Sequence, residues 1–157
     1  MFIRMATTKD SERLAQLTHE LNLQHAPYHP MYKLREDSFA CTLAYVKDAI
    51  EKSALGEGLV LLAQGKEIIG FLTCVIQEVS GQQWENRRIG HLGLVYVIPA
   101  YRRQGVAAAL MKEALAWMKN RGAKYVSLDV DDRNRDAMAA WIAMGFKPHR
   151  HNLVHET

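Results

Sequence analysis

Three observations put this chain in the α/β class with a mixed sheet. Apolar residues recur at helical spacing in two segments, two later segments read as helices that stop at Gly122 and Gly145, and between the helices stand short runs rich in Val, Ile and Leu that suit buried strands. The polar turn Gln64-Gly65-Lys66-Glu67 joins two such runs as an antiparallel hairpin. Between residues 87 and 130 a strand, a long helix and a second strand follow one another, the order of a right-handed crossover whose two strands lie parallel. A length of 157 residues, 48% apolar and 24% charged, gives one domain over residues 1–157 with a substantial buried core.

Taken in order, the first strand is expected around Phe2 to Met5. Thr7-x-x-Asp10 then reads as a capping box with aspartate in place of the usual glutamate, and Leu14, Leu17 and Leu21 follow on one helical face. Two prolines in HAPYHPMYKLRED interrupt helical continuity. Phe39, Leu43, Val46 and Ile50 then share a face of a second helix that runs to Gly56. LVLLA and IIGFLTCVIQ form the hairpin, SGQQWEN is a polar loop, and RRIGHLGLVYVI is the next strand, antiparallel to the hairpin. Gly105 to Arg121 is a long helix with Gly122 as its C-cap, and YVSLDV is the strand after it. A last helix from about Arg135 to Met144 stops at Gly145, and FKPHRHNLVHE supplies one or two closing strands. The sum is about six to seven strands and about four helices.

Composition excludes several classes. A net charge of +3 suits an anionic small ligand but falls short of the concentrated basic face of a nucleic-acid binder. MFIRMATTKD meets charge at once, leaving no room for a signal-peptide apolar region, and there is no membrane-length apolar stretch beyond it, so a cytoplasmic location is expected. Cys41 and Cys74 stand far apart without a CxxC pairing, as reduced core thiols do. His25 and His29 have metal-ligand spacing, but Pro27 lies between them and Pro30 comes next, so no metal site is expected.

The junction PAYRRQGVAAALM carries the functional signal. At a strand-to-helix junction the first amides of the helix have no carbonyl partner and point outward with the positive end of the helix dipole behind them, a ready site for phosphate. Gly105 leaves the approach clear, Val106, Ala107 and Ala108 keep the first turn compact, and Arg102 and Arg103 add positive charge. A tight turn with solvated arginines is the alternative reading of the same residues. Neither a Walker loop nor a three-glycine dinucleotide loop is present.

VYVIPAYRRQGVAAALM resembles the signature of the GNAT superfamily of acyl-CoA-dependent N-acetyltransferases, whose Arg/Gln-x-x-Gly-x-Gly/Ala stands here as Arg102-Arg103-Gln104-Gly105-Val106-Ala107. LDVDDRNRDAMAAWIAMGFKP is similar to that family's second block, with Asn134 and Gly145-Phe146 at the matching places. IRMATTKDSERLAQL is similar to its opening strand and helix, and GKEIIGFLTCVI to its hairpin. The likeness is most specific over residues 95–146 and weakest over 22–58, where such families differ in acceptor.

The resemblance implies parallel strands that splay apart to form the acyl-CoA cleft. Val95, Tyr96 and Val97 would pair with the pantetheine arm through their backbone, with the Val97 N–H directed to the thioester carbonyl. Arg102, Arg103, Gln104, Gly105, Val106, Ala107 and Ala108 would hold the pyrophosphate, and Asn134 and Trp141 would contact the cofactor. The implied reaction carries acetyl from acetyl-CoA to a small-molecule or peptide amine by direct attack on the thioester, with no metal and with a homodimer as a family-level expectation.

An alkyl ammonium must lose a proton before it can attack, which requires a base. Asp129 falls where some family members place a glutamate base, one methylene short of it. A second common position for the base is Gly93, which cannot serve, and His91, two residues earlier on the same strand face, can replace it because imidazole titrates near neutrality. Glu85 and Asp131 are further candidates. The family's tyrosine acid is Trp141 here, and an indole cannot protonate a leaving thiolate. Water or Tyr101 could take its place, since a thiol can also depart as thiolate. Trp141 and Gly93 keep open a non-catalytic acyl-CoA-binding sensor or regulatory domain. Tyr28, Met31, Tyr32 and Trp84 sit in loops that could border an acceptor pocket.

Overall fold

A computed structural model of the protein describes residues 1–81 and 83–155. It contains β1 (Phe2–Met5), α1 (Ser11–His25), α2 (Ser38–Ala54), β2 (Leu59–Gln64), β3 (Ile68–Gly81), β4 (Trp84–Val97), α3 (Val106–Asn120), β5 (Tyr125–Leu128) and α4 (Arg135–Ala143). The strands form one sheet in the order β1-β2-β3-β4-β5. The first four run antiparallel, and β5 lies parallel to β4, as the crossover predicts.

Alternation along the strands sends side chains to two cores. On one face Leu59, Leu61, Leu72, Leu92 and Val97 pack beneath Val106, Leu110, Ala114 and Met118 of α3, with Trp141 of α4 and Met144 just after it at the margin. On the other, Val60, Leu62, Phe71 and Tyr96 pack beneath Leu14, Leu17 and Leu21 of α1 and Val46 and Ile50 of α2. The periodicity read for α1 is its buried face; of the face read for α2, Val46 and Ile50 are buried and Leu43 partly so, while Phe39 is exposed.

The entry into α1 is held by an ionic knot. Asp10 Oδ2 accepts from the Thr7 N–H (2.8 Å) and Thr7 hydroxyl (2.9 Å), while Arg4 donates to both carboxylate oxygens at 2.7 and 2.8 Å and to Gln64 at 2.9 Å. The Arg4 guanidinium, helped by Thr7, holds the Asp10 carboxyl well below the usual carboxylate range, against the opposing effect of burial. A depressed carboxylate contributes stability that is present above its unfolded value and lost as pH falls toward its folded one. Asp10→Asn should therefore lower the free energy of urea unfolding by about 2 kcal/mol at neutral pH, and the gap between the two proteins should close below about pH 3.

Two expectations are corrected. The sheet has five strands, not six to seven, because residues 146–155 form no strand. Pro148 lacks an N–H for a ladder, and beyond Phe146, which packs on the α3-side core, the apolar residues find no cover: Leu153 is 90% exposed and Val154 57%. Glu156, the end of the expected closing strand, lies outside the described residues. The polar loop SGQQWEN is also mostly strand, since β3 and β4 pair on through Val79↔Arg87 and Gly81↔Trp84. Backbone ladders need no apolar side chains, and the Glu78–Arg88 ion pair (2.9 Å) crosses the hairpin where both faces are wet. Gln82, at the centre of that expected loop, lies outside the described residues.

Two irregularities set the course of the second half of β4. Pairing of β3 with β4 shifts between Leu72↔Val95 and Cys74↔Leu92, so Thr73 faces both Gly93 and Leu94, a β-bulge. The extra residue turns Leu92 toward α3 and Leu94 toward α1 and α2. Pairing of β4 with β5 stops at Leu92↔Leu128, yet β4 continues to Val97. Past the bulge, the outer edge of β4 is left without a strand partner among the described residues.

Candidate functional site

The open edge can be read atom by atom. The Ile98 N–H donates to the Ile69 carbonyl at 3.0 Å, and Gly70↔Val97 and Phe71↔Tyr96 are the next pairs. Antiparallel pairs alternate between hydrogen-bonded and not, so the backbone groups of Tyr96 turn inward to β3 while those of Val95 and Val97 turn out to the free edge. The structure thus separates the three residues expected to meet pantetheine. Val95 and Val97 present outward amides, whereas the Tyr96 side chain is buried against α1 and its hydroxyl donates to Glu20 at 2.9 Å.

Beside this edge α3 begins. A Cβ placed on Gly70 would lie 3.3 Å from Val97 Cγ2 and 3.4 Å from Val106 Cγ1, so the end of β4 and the start of α3 meet over Gly70. Gly105 caps α3 with φ +81°, a left-handed backbone that glycine adopts without strain, and no atom lies within 4 Å of where its Cβ would stand. The first helical bond runs from the Ala109 N–H to the Gly105 carbonyl, which leaves the amides of Val106, Ala107 and Ala108 without helical acceptors. Arg103, also left-handed at φ +60°, and Gln104 are exposed, and the Gln104 amide donates to the Ala100 carbonyl at 3.0 Å. Arg102 does not point away into solvent. Its Nε donates to the Val97 carbonyl at 2.9 Å and its Nη2 to Gln24 at 3.1 Å.

The two candidate bases come together. His91 Nε2 lies 3.9 Å from Asp129 Oδ2, and His91 Nδ1 is 3.2 Å from the Ser127 hydroxyl, its register partner on β5. His91 and Ser127 alternate with Leu92 and Leu128 of the α3-side core, so this group sits on the α1–α2 face. His91 is 24% exposed and Asp129 99%, so the imidazole is sheltered and the carboxylate fully solvated. Gly93 lies between His91 and Leu94, and its lack of a side chain now has a cause: a Cβ there would stand 2.7 Å from Thr73 Oγ1. That hydroxyl accepts the Leu94 N–H at 2.8 Å and so fastens the bulge.

Other expected residues take supporting places. Asn134 caps α4, its Oδ1 accepting the Ala137 N–H at 3.2 Å. Trp141 packs edge-on against Phe146 with centroids 5.7 Å apart, and Tyr101 lies half-buried on the α3-side core. Asp131 accepts the Arg133 N–H at 2.9 Å, and its charge acts on His25, whose pKa burial depresses and Asp131 partly restores. Glu85 is exposed on the hairpin. His25 lies tilted against Tyr28 and His29 edge-on to Tyr32, and the His29 Nδ1 accepts the Met31 N–H; among the described residues no three His, Cys, Asp or Glu groups gather to hold a metal. Cys74 is buried, its thiol pushed up to about 12 by desolvation, and Cys41 is exposed. No helix among the described residues is long and apolar enough to cross a membrane.

Sequence reading missed Thr73, Ser127, Gln24 and Glu20. Thr73 alone left a trace, a lone hydroxyl within the apolar run GFLTCVI. An open groove of about 310 Å³ also lies on the α1–α2 face, lined by Thr18, Asn22, Cys41, Thr42, Tyr45 and Leu94. A second hollow, about 330 Å³ between Glu78, Arg88 and Lys124, sits at the far end of the β3–β4 hairpin near the C-terminal end of α3.

An outward strand edge beside unpaired helical amides can hold a ligand that carries both an amide chain and a phosphate. Several known proteins are similar to this chain. The mycothiol acetyltransferase of Amycolatopsis mediterranei is 29% identical over 93 residues, 59% of this chain and 31% of that protein. The aminoglycoside N(6')-acetyltransferase type 1 of Klebsiella aerogenes is 32% identical over 88 residues, 56% of this chain and 57% of that protein. The chain therefore spans between about a third and just over half of the length of these two relatives. The solved structure of AAC(6')-Iy, in complex with the bisubstrate analog CoA-S-monomethyl-acetylneamine, superposes with a TM-score of 0.76 at 19% identity, covering 99% of this chain and 97% of that one, a likeness of fold. The profile of the Acetyltransferase (GNAT) family matches residues 14–146, which run from within α1 to beyond α4 and include the open edge of β4 and the Gly105 junction. The chain belongs to the acetyltransferase (GNAT) family.

Proposed function

We propose that the protein is an N-acetyltransferase that moves acetyl from acetyl-CoA to a primary amine of a small molecule. One observation carries the reading: the free edge of β4 beyond Leu92 ends beside the unpaired amides of Val106 to Ala108. These residues fit acetyl-CoA, because the space over Gly105 is clear for a pyrophosphate and Val95 and Val97 offer outward backbone groups to an amide-bearing arm. When bound, acetyl-CoA supplies an activated acetyl thioester.

The protein's own groups then have defined tasks. The Val97 N–H faces the thioester carbonyl, where a preorganised donor is worth about 3 kcal/mol in the barrier. His91 takes the ammonium proton of the acceptor at Nε2, which requires that its Nδ1–H donate to Ser127 Oγ. Asp129 Oδ2 stands 3.9 Å from that Nε2, open to solvent, where it can pass the proton on to water. Trp141 offers no acidic proton, so the thiol departs as thiolate or takes its proton from water. The groove between α1 and α2 shares the sheet face of His91 and houses the body of the acceptor; none of its six lining residues is charged, which suits an acceptor whose body beyond the reacting amine is uncharged and hydrogen-bonding better than a polycation.

The test is calorimetric titration with acetyl-CoA, then thiol release from a panel of amines. Saturable binding with turnover supports the enzyme, and binding that stays silent with every amine supports the sensor. His91→Gln should lower kcat by about 100-fold and leave acetyl-CoA affinity within about twofold. Asp129→Asn should lower it less than about tenfold, most at low pH where deprotonation of the amine limits the rate. Unchanged turnover in His91→Gln across the pH range removes it as the base.

A further inference from the structure

The family signature begins with Arg102, whose charge the sequence assigns to the pyrophosphate. The structure directs it elsewhere. Arg102 Nε donates to the Val97 carbonyl (2.9 Å), Nη2 donates to Gln24 Oε1 of α1 (3.1 Å), and the guanidinium carbon lies 5.7 Å from the centroid of the Tyr96 ring. Tyr96 is itself tied to α1, donating to Glu20 at 2.9 Å and accepting from the Gln24 amide at 3.4 Å. One planar fork thus joins the last residue of β4, the ring of its penultimate residue and the second half of α1.

Val97 is the last residue of the free edge, and both its backbone groups turn outward. A bare carbonyl there would face the arm that pairs with the edge and would repel the carbonyl oxygen that the neighbouring Val97 N–H has to receive. Arg102 occupies that carbonyl and neutralises it. Beyond it the chain turns through Pro99–Tyr101, with the Tyr101 N–H on the Ile98 carbonyl (2.8 Å) and the Arg102 N–H on the Pro99 carbonyl (3.2 Å), bonds that hold the turn and leave the Val97 carbonyl to the Arg102 side chain. With its Nε and Nη2 engaged and its face over Tyr96, Arg102 is a poor ligand for a phosphate at the amides of α3.

Resting on the acyl-CoA reading above, we infer that Arg102 is a positioning residue for the pantetheine arm: it caps the Val97 carbonyl and anchors the cleft edge to α1, while phosphate is held by the amides of Val106 to Ala108. The two roles make opposite predictions for fragments of the cofactor. A phosphate ligand matters equally for CoA and for 3′-phospho-ADP, which keeps the pyrophosphate and lacks the pantetheine arm. A positioning residue for the edge matters for CoA alone.

The experiment is calorimetric titration of wild type, Arg102→Met, Arg102→Lys and Gln24→Leu with both ligands, with thermal melting to confirm folding. Arg102→Met should weaken CoA by about tenfold or more and leave 3′-phospho-ADP within about twofold. Arg102→Lys should behave like Arg102→Met, because an ammonium restores charge but not the two-pronged span. Gln24→Leu, which leaves the loop untouched, should weaken CoA by a few fold in the same selective way. Equal losses for both ligands, or recovery of full affinity in Arg102→Lys, would make Arg102 a phosphate ligand and overturn this inference alone. Failure of the wild type to bind either ligand would remove the acyl-CoA reading and this inference with it.

Discussion

Replacing Gly105 by glutamate should abolish acetyl-CoA binding in a protein that remains folded. Two effects act, and they can be separated. A side chain at φ +81° carries about 1 kcal/mol of backbone strain, but no atom stands within 4 Å of the new Cβ, so the chain has room to accept it. The carboxylate, by contrast, lies at the start of α3, where it takes up the amides of Val106 to Ala108 and brings negative charge to a place that should receive a pyrophosphate. The loss should exceed about 100-fold in affinity, about 2.7 kcal/mol, by calorimetry. Gly105→Ala carries the same strain without the charge and should lose about tenfold or less. An unchanged affinity in Gly105→Glu, with circular dichroism of the native protein, would sink the phosphate site.

The second large effect concerns stability. Alanine normally strengthens a strand relative to glycine, yet Gly90→Ala should weaken this one by about 2–3 kcal/mol. Gly90 lies in the middle of the sheet, paired with Ile76 on β3 and Val126 on β5, and a Cβ there would overlap Met118 Sδ and press on Met118 Cγ at 3.0 Å. Met118 is fully buried, so it cannot swing into solvent. For a chain of this size the midpoint of thermal unfolding should fall by about 4–12 °C. Met118→Ala is itself destabilising as a cavity, and in combination with Gly90→Ala the total loss should be smaller than the sum by about 1 kcal/mol or more. Simple additivity would mean that α3 does not rest on Gly90. The contact also sets how closely α3, and with it the unpaired amides of Val106 to Ala108, approaches the sheet.

What was legible before folding was what neighbours in sequence decide. Apolar spacing located α1 and α2, because a helix meets its core through residues three and four apart, and the glycine stops at Gly122 and Gly145 marked the ends of α3 and α4. The Thr7–Asp10 cap and the Gly105 junction were readable because capping is settled within one turn of chain. Composition misled at SGQQWEN and at the C-terminal segment, where strand formation depends on whether a partner edge is available and not on the residues' own polarity.

The chemistry of the site belongs to tertiary structure. Leu94 meets Thr73 across 21 residues, His91 meets Ser127 across 36, and Arg102 meets Gln24 across 78. No local pattern encodes such pairings: each is set by strand register, and the bulge at Gly93 and Leu94 shifts that register by one residue and sends every later side chain of β4 to the other face. The sequence by itself determined that a helix would start at Gly105 with its amides bare and that the sheet would be mixed. Only the folded register decided that β4 would leave β5 after Leu92, that His91 would find Ser127 and Asp129, and that Arg102 would hold the Val97 carbonyl, because those contacts join residues that only the packed sheet brings together.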